Sequence, residues 1–410
     1  MIAKPKHAEP ALLKVANNQL CLSGRAIDDI AHENASGPFY AYSKSGIEER
    51  ISQLRQILPE DIKLHYAIKA NPLPELVNFI SPLVDGLDIA SGGELKTALD
   101  SSMPPMHIGF AGPGKSDEEL SLAIQNNVIL HIESANELER VLILADVTGV
   151  TPRIAFRLNP DFELKSSGMK MAGGAKPFGI DVEQIPPLLE KIKTAGVEFL
   201  GFHIYSGSQN LDAESLVMAQ NATFKLVSRL IDDAKISISY LNIGGGFGIP
   251  YFPGDQHLDL SPIAGNLRMQ SGLFSKRHGR VEVALELGRY LVGEAGVYVC
   301  QIVDKKVSRG KTFLICNGGM HHHLAASGNF GQIIRKNYPV YTAKAYQSDI
   351  VETVSIVGPL CTPLDILADS VDLPRCDVGD YIVIGQSGAY GASASPQAFL
   401  GHPAVNEFLV

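Results

Sequence analysis

Lys69 closes the apolar run Leu64-His-Tyr-Ala-Ile-Lys69, immediately before Ala70-Asn71-Pro72 breaks it. A lysine so placed, partly desolvated, can lose its proton and attack an aldehyde. The run reads as a strand: Leu64, Tyr66 and Ile68 share one face, and His65, Ala67 and Lys69 the other. Pro72 cannot donate to a ladder and turns Asn71 away from the helical region, so the strand should end here and a helix can begin within 73–82. Taken alone, the stretch is explained as readily by a strand-end lysine reaching to water.

Other chemistry-bearing groups also follow apolar runs. Leu87-Asp-Ile-Ala-Ser-Gly-Gly-Glu94 carries Asp88 and Glu94, which either orient Lys69 or form the acidic start of a helix beginning near Gly92. His203 and Tyr205 lie on one face of a strand, with Gly207 and Ser208 after them. That suits a ring stacked on a flat cofactor beside a hydroxyl at a phosphate, or else a core histidine next to a polar turn. Gly244, Gly245 and Gly246 allow the backbone to approach an anion closely, although the spacing is not GxGxxG and a plain tight turn would use them too. A phosphate site late in a barrel is a recurrent arrangement. Glu286 ends a buried strand and needs a cation to offset its desolvation; a protonated pyridine nitrogen would serve, and so would Arg289. Cys361 follows a Gly-Pro turn, where a lone cysteine is more often an inert core residue, and Tyr390 follows a later strand. His321, His322 and His323 are adjacent, so on an extended chain they face alternate sides. This disfavours a metal site and leaves them a place at the rim of a substrate site.

These groups need a scaffold that presents strand ends together. Apolar runs at 64–68, 86–89, 107–110, 128–132, 153–158, 198–205, 240–243 and 281–286 alternate with amphipathic segments such as 117–126, 135–145 and 182–194. Eight strands alternating with helices predict an α/β fold, a (β/α)8 TIM barrel with its chemistry at the C-terminal strand ends. A run at 39–43 would make nine; it is left out because no chemical group follows it. After about residue 290 the pattern changes to short strands at 297–303, 312–316, 351–357 and 381–384, a mainly antiparallel β domain. Residues 1–35, with β-like pieces at 12–15 and 19–22 before a turn at Ser36-Gly37-Pro38, could join it. The expected domains are 36–288 for the barrel and 1–35 plus 289–410 for the β domain.

Composition narrows the class. At 410 residues two domains are expected, and 45% hydrophobic with 19% charged residues is ordinary for a globular protein. A net charge of −9 gives no electrostatic case for nucleic acid or an anionic membrane. The five cysteines lack CxxC spacing, which fits a reducing cytoplasm. The first residues lack the apolar core of a signal peptide and no run is long enough to span a bilayer, so a cytoplasmic protein is expected.

In order along the chain, YAIKAN, DIASGGEL, the GSQ turn, IGGG, ELGRY, GPLCTPLD and GAYG resemble the motifs of the fold-type III pyridoxal-phosphate decarboxylases. The resemblance spans about residues 35–400 and covers the ornithine and diaminopimelate decarboxylases. It implies that Lys69 binds pyridoxal 5'-phosphate as a Schiff base. Ser208, Gly244, Gly245, Gly246, Arg289 and Tyr390 would surround the phosphate, and Glu286 would face the ring nitrogen. Cys361 would act near the substrate Cα, entering from the partner subunit of a homodimer with shared sites. A carboxylate at the ring nitrogen suits an electron-accepting cofactor, and a thiol can return a proton to carbon.

Three departures bear on specificity. Glu-Leu-Gly-Arg replaces the family's EPGR but keeps both charges. Tyr205 stands where the family commonly has a histidine two residues before the GSQ glycine, with His203 two residues earlier, so either ring could stack on the cofactor. Thr362, followed by Pro363, replaces the acid that in both named decarboxylases follows the cysteine and holds the far end of a diamino substrate. Together GGMHHH, GPLCTPLD and FLGHP resemble a subgroup holding the butirosin-type decarboxylase of carrier-protein-bound glutamate and the exosortase-associated decarboxylases. The expected substrate is therefore a free or acyl-carrier-protein-bound amino acid, with Thr362, Asp365 and the three histidines near it. Diaminopimelate decarboxylase is the alternative that Thr362 disfavours. A racemase is disfavoured by Glu286, and a non-catalytic pyridoxal-phosphate-binding protein by the β domain and Cys361.

Overall fold

The computed structural model describes residues 5–10, 12–33, 37–162, 169–344 and 350–410. Ser36 of the expected turn and Met1–Lys4 lie outside them. By backbone contacts the chain divides into two units, one of residues 51–248 and 258–288, the other of 1–50, 249–257 and 289–410.

The first unit is a closed parallel barrel. Its strands are β1 (Ile62–Ala67), β2 (Gly86–Ile89), β3 (Ile108–Phe110), β4 (Ile129–Ile132), β5 (Arg153–Asn159), β6 (Glu198–His203), β7 (Tyr240–Gly245) and β8 (Glu282–Leu287). Each pairs with the next in parallel, and β8 pairs with β1 to close the ring. The strands are apolar on both faces because helices cover the outside while side chains fill the inside. Ile129, Ala155, Leu200, Tyr240 and Ala284 form one such internal cluster. Caps start the helices where the sequence supplies hydroxyls. Ser91 accepts from the Glu94 amide, and Ser116 forms a capping box with Glu119.

One detail differs from the sequence expectation. β1 stops at Ala67, and Lys69 lies just beyond it in a 3-10 turn, Ile68–Ala70. Asn71 is extended, as a residue before proline must be; its amide donates to the Ile68 carbonyl (2.9 Å), and the Tyr66 hydroxyl donates to the Asn71 carbonyl (2.8 Å).

The second unit is a mainly antiparallel sheet built around the long strand Gly296–Ser308. That strand pairs antiparallel with Lys311–Cys316, Tyr381–Ile384 and Phe39–Tyr42. Phe39–Tyr42, omitted from the eight barrel strands, is thus a sheet strand here, with Asn406–Leu409 parallel on its other side. Periodicity missed Val340–Thr342, Ile366–Pro374 and Asn406–Leu409, which mix polar and apolar residues without clean alternation. The hairpin Leu13–Ala16 and Gln19–Leu22 packs into this unit, with Leu13, Leu20, Leu22, Ile27, Phe39, Val297 and Val383 in one core cluster. Among the described residues no helix is long and apolar enough to cross a membrane.

Candidate active site

At the C-terminal end of the barrel the Lys69 ammonium lies 3.5 Å from Glu286 Oε1. The lysine side chain is 36% exposed and the carboxylate 5%. Glu286 Oε2 is 3.3 Å from His203 Nε2. Burial would raise the Glu286 carboxyl, but Lys69, His203 and Arg157 outweigh it and hold the group well below the usual carboxylate range. The barrel therefore favours the charged form of this carboxyl beside a partly exposed amine.

The neighbouring pair is His65 Nδ1 and Asp88 Oδ2, 3.1 Å apart. Burial would lower the His65 pKa; Asp88 overrides it and raises it. Asp88 thus meets His65 rather than Lys69. Glu94 accepts a hydrogen bond from the Ala90 amide at 2.7 Å; burial raises its carboxyl, with that amide and Lys69 opposing.

The two candidate rings separate by depth. His203 is buried beside Glu286, whereas the half-buried Tyr205 ring has its centroid 5.0 Å from Lys69 Nζ. Tyr205 is thus the ring beside the amine.

The glycine turn is obligatory for packing. A Cβ on Gly245 would stand 2.0 Å from the Glu286 carbonyl oxygen, and one on Gly246, at φ +81°, would stand 2.4 Å from that of Gly207. This contact brings the turn against Gly207 and Ser208, whose Oγ is buried without a partner among the described residues. An amine, a buried carboxylate and a hydroxyl beside a glycine turn form the donor set that an aldehyde, a pyridine nitrogen and a phosphate require. Pyridoxal phosphate fits these barrel residues.

Several polar residues here escaped the sequence reading. Arg157 donates to Glu133 at 2.7 Å, and Lys115 lies 2.6 Å from Glu137. The fully buried His131 ring lies tilted against that of His203 with centroids 4.5 Å apart, and burial, with His203, Lys115 and Arg157, lowers its pKa well below the usual value. The available signal was a polar residue interrupting each strand, as in Ile129-Leu-His-Ile132 and Ala155-Phe-Arg-Leu158.

In the β unit, Arg289 donates to the Tyr251 hydroxyl at 2.9 Å and its guanidinium lies 4.6 Å from the Tyr390 ring centroid. Cys361 is exposed, on the loop between Val351–Val357 and Ile366–Pro374. Asp365, expected at the substrate, is buried; the Met320 and Leu360 amides donate to its two oxygens at 2.6 and 2.8 Å. Burial raises its carboxyl, and the two amides partly offset this. In this structure Asp365 positions the Cys361 loop. The three histidines, expected at a rim, are buried in the sheet unit. His322 Nε2 meets the Pro403 carbonyl and His323 Nε2 meets Ser387 Oγ, while the His321 and His322 rings lie tilted against each other with centroids 3.8 Å apart. Two of the three rings are thus hydrogen-bonded within the sheet unit, while neither ring nitrogen of His321 has a hydrogen-bond partner among the described residues.

The fold and site define a pyridoxal-phosphate-dependent carboxy-lyase, and the chain belongs to the pyridoxal-dependent decarboxylases. Residues 44–293 match the family described as "Pyridoxal-dependent decarboxylase, pyridoxal binding domain". The chain is 36% identical to the L-glutamyl-[BtrI acyl-carrier protein] decarboxylase of Niallia circulans, over 91% of this chain and 88% of that protein. It is 30% identical to the 2-[(L-alanin-3-ylcarbamoyl)methyl]-2-hydroxybutanedioate decarboxylase of Staphylococcus aureus, over 89% and 92%. The crystal structure of Helicobacter pylori diaminopimelate decarboxylase complexed with L-lysine covers 93% of this chain and 94% of its own, with a TM-score of 0.83 and 25% identity.

Proposed function

We propose that the enzyme removes the α-carboxylate of an amino acid whose far end carries no free ammonium, and that its substrate is glutamate held through its side-chain carboxyl as a thioester on an acyl carrier protein. The observation that carries this reading is Thr362-Pro363 beside Cys361: neither residue could neutralise a buried substrate ammonium. The similarity to a carrier-protein glutamate decarboxylase supports it.

Lys69 would hold the cofactor covalently, Glu286 would keep the ring nitrogen protonated, and Tyr205 would flank the ring. Ser208 and the amides of Gly244, Gly245 and Gly246 would take the phosphate. Arg289 and Tyr390 are assigned to it by family resemblance. Bound pyridoxal phosphate supplies the electron sink for loss of CO2. Cys361 of a partner subunit would return a proton to Cα, in a homodimer with shared sites. Five unpaired cysteines are in keeping with a cytoplasmic enzyme.

CO2 release from L-glutamyl carrier protein, ornithine, lysine and diaminopimelate tests the substrate. Efficient use of a free diamino acid with no turnover of the carrier-bound substrate would refute it. Mixing inactive Lys69→Ala with inactive Cys361→Ala tests the shared site. Partial recovery is expected from hybrid dimers; no recovery despite demonstrated subunit exchange counts against it.

A further inference from the structure

The β unit carries a groove of about 570 Å3 that runs on from Thr362 and Pro363 along the neighbouring hairpin. One wall is the Cys361 loop, with Pro359, Leu360, Thr362 and Pro363; the other is the hairpin of Gly296–Ser308 and Lys311–Cys316, with Lys306, Phe313 and Ile315. Lys306 stands opposite Phe313 in the ladder, and the ammonium of Lys311 lies 5.5 Å from the centroid of that ring.

The charges on this hairpin are unequally committed. Lys305 is 2.7 Å from Glu352, and Lys311 is 2.7 Å from Asp369. Asp304 Oδ1 accepts from the Lys305 amide. Lys306 and Arg309 are exposed and have no carboxylate within 4 Å among the described residues. Phe313, Ile315 and Val357 remain half-buried beside them, an apolar floor under an unspent positive charge.

We propose that this groove is the seat of the phosphopantetheinyl arm of the carrier protein, with Lys306 at its phosphodiester and the Phe313–Ile315 surface under its pantetheine chain. The inference rests on the carrier-bound reading above and adds the place where the arm lies. Two features argue for this occupant. A phosphodiester has a fixed negative charge matching an unpaired lysine, and the amide-and-methylene chain behind it suits a narrow, mixed floor. The groove is also lined by Leu360 and Thr362, the residues on either side of Cys361, so an arm lying in it delivers its acyl end to the loop assigned to Cα.

The test uses two small probes with the holoenzyme: S-glutamyl phosphopantetheine, and S-glutamyl pantetheine lacking the phosphate. The unmodified enzyme should favour the phosphorylated thioester about tenfold in kcat/KM, the worth of one hydrogen bond to a charged group. Lys306→Ala should remove that preference through KM, Lys306→Arg should restore it, and neither should alter cofactor absorbance. Phe313→Ala should raise KM for both probes. If the unmodified enzyme turns over both probes equally, or if its preference survives Lys306→Ala, the groove assignment is wrong while the carrier reading stands. If neither probe nor the carrier is used and a free diamino acid is, both fall together.

Discussion

Asp365→Asn separates a residue that shapes the site from one that touches substrate. Each Asp365 oxygen receives one backbone amide, from Met320 at 2.6 Å and from Leu360 at 2.8 Å. The asparagine oxygen can accept only one of them; its NH2 must then face the other amide, donor against donor. The loss of one charge-assisted bond costs about 1.5–3 kcal/mol, and the stranded buried amide costs about 1–3 more. The space cannot be rearranged cheaply, because Gly319 and Gly358 pack so closely that a Cβ on either would stand 2.3 Å from a carboxylate oxygen. A loss of about 3–5 kcal/mol should lower the urea midpoint of the β unit by about 1–2 M. The chain has no tryptophan, so circular dichroism or tyrosine fluorescence is the readout. kcat should fall with the midpoint as the Cys361 loop loses its clamp. An unchanged midpoint with only KM raised would refute this reasoning and return Asp365 to the substrate.

Gly245→Ala should force β7 away from β8 beside Glu286, weakening cofactor binding at least tenfold, as fluorescence titration would record. His323 is held neutral by burial, with its pKa lowered to about 3, so only the unfolded chain takes up a proton as pH falls below the ordinary value near 6.5. Its contribution to stability is therefore complete above pH 6.5 and is lost at about 1.4 kcal/mol per pH unit as the pH drops towards 3. His321, His322 and His131 are lowered by burial in the same direction, so urea midpoints should fall between pH 6.5 and 4, and His323→Gln should make that fall shallower by about one proton. Glu286→Gln keeps the volume but removes the charge beside Lys69, and kcat should fall by about a hundredfold or more in steady-state assays.

The barrel was readable because buried parallel strands are continuous apolar runs, and eight of them lie between helical patterns. Lys69, Glu286 and the three glycines were readable because each interrupts or ends such a run. Three kinds of feature were not. His65 and His131 sit inside strands, and nothing in the order of residues shows the register and ring orientations that bring His131 beside His203 or His65 beside Asp88. The His321–His323 row looked like a surface feature because histidine is polar. Its burial depends on partners distant in sequence, Ser387 and Pro403, that satisfy two of its rings. Asp365 carries a charge four residues after the motif cysteine, and only the fold reveals that two amides already occupy it.

The strand Phe39–Tyr42 has consequences for the order in which the protein can be made. All four residues are buried, yet their neighbours are Gly296–Ser308 and Asn406–Leu409, so the entire barrel is synthesised between this strand and its first partner. At about 5–20 residues per second on the ribosome, that interval is on the order of tens of seconds. The barrel closes β1 on β8 without any residue of the sheet, whereas both sheet partners of Phe39–Tyr42 lie beyond the barrel in sequence. A nascent chain should therefore pass through a stage in which the cofactor-binding half is formed and an apolar segment at its start still awaits pairing. Chaperone contact with this protein should concentrate on that early segment.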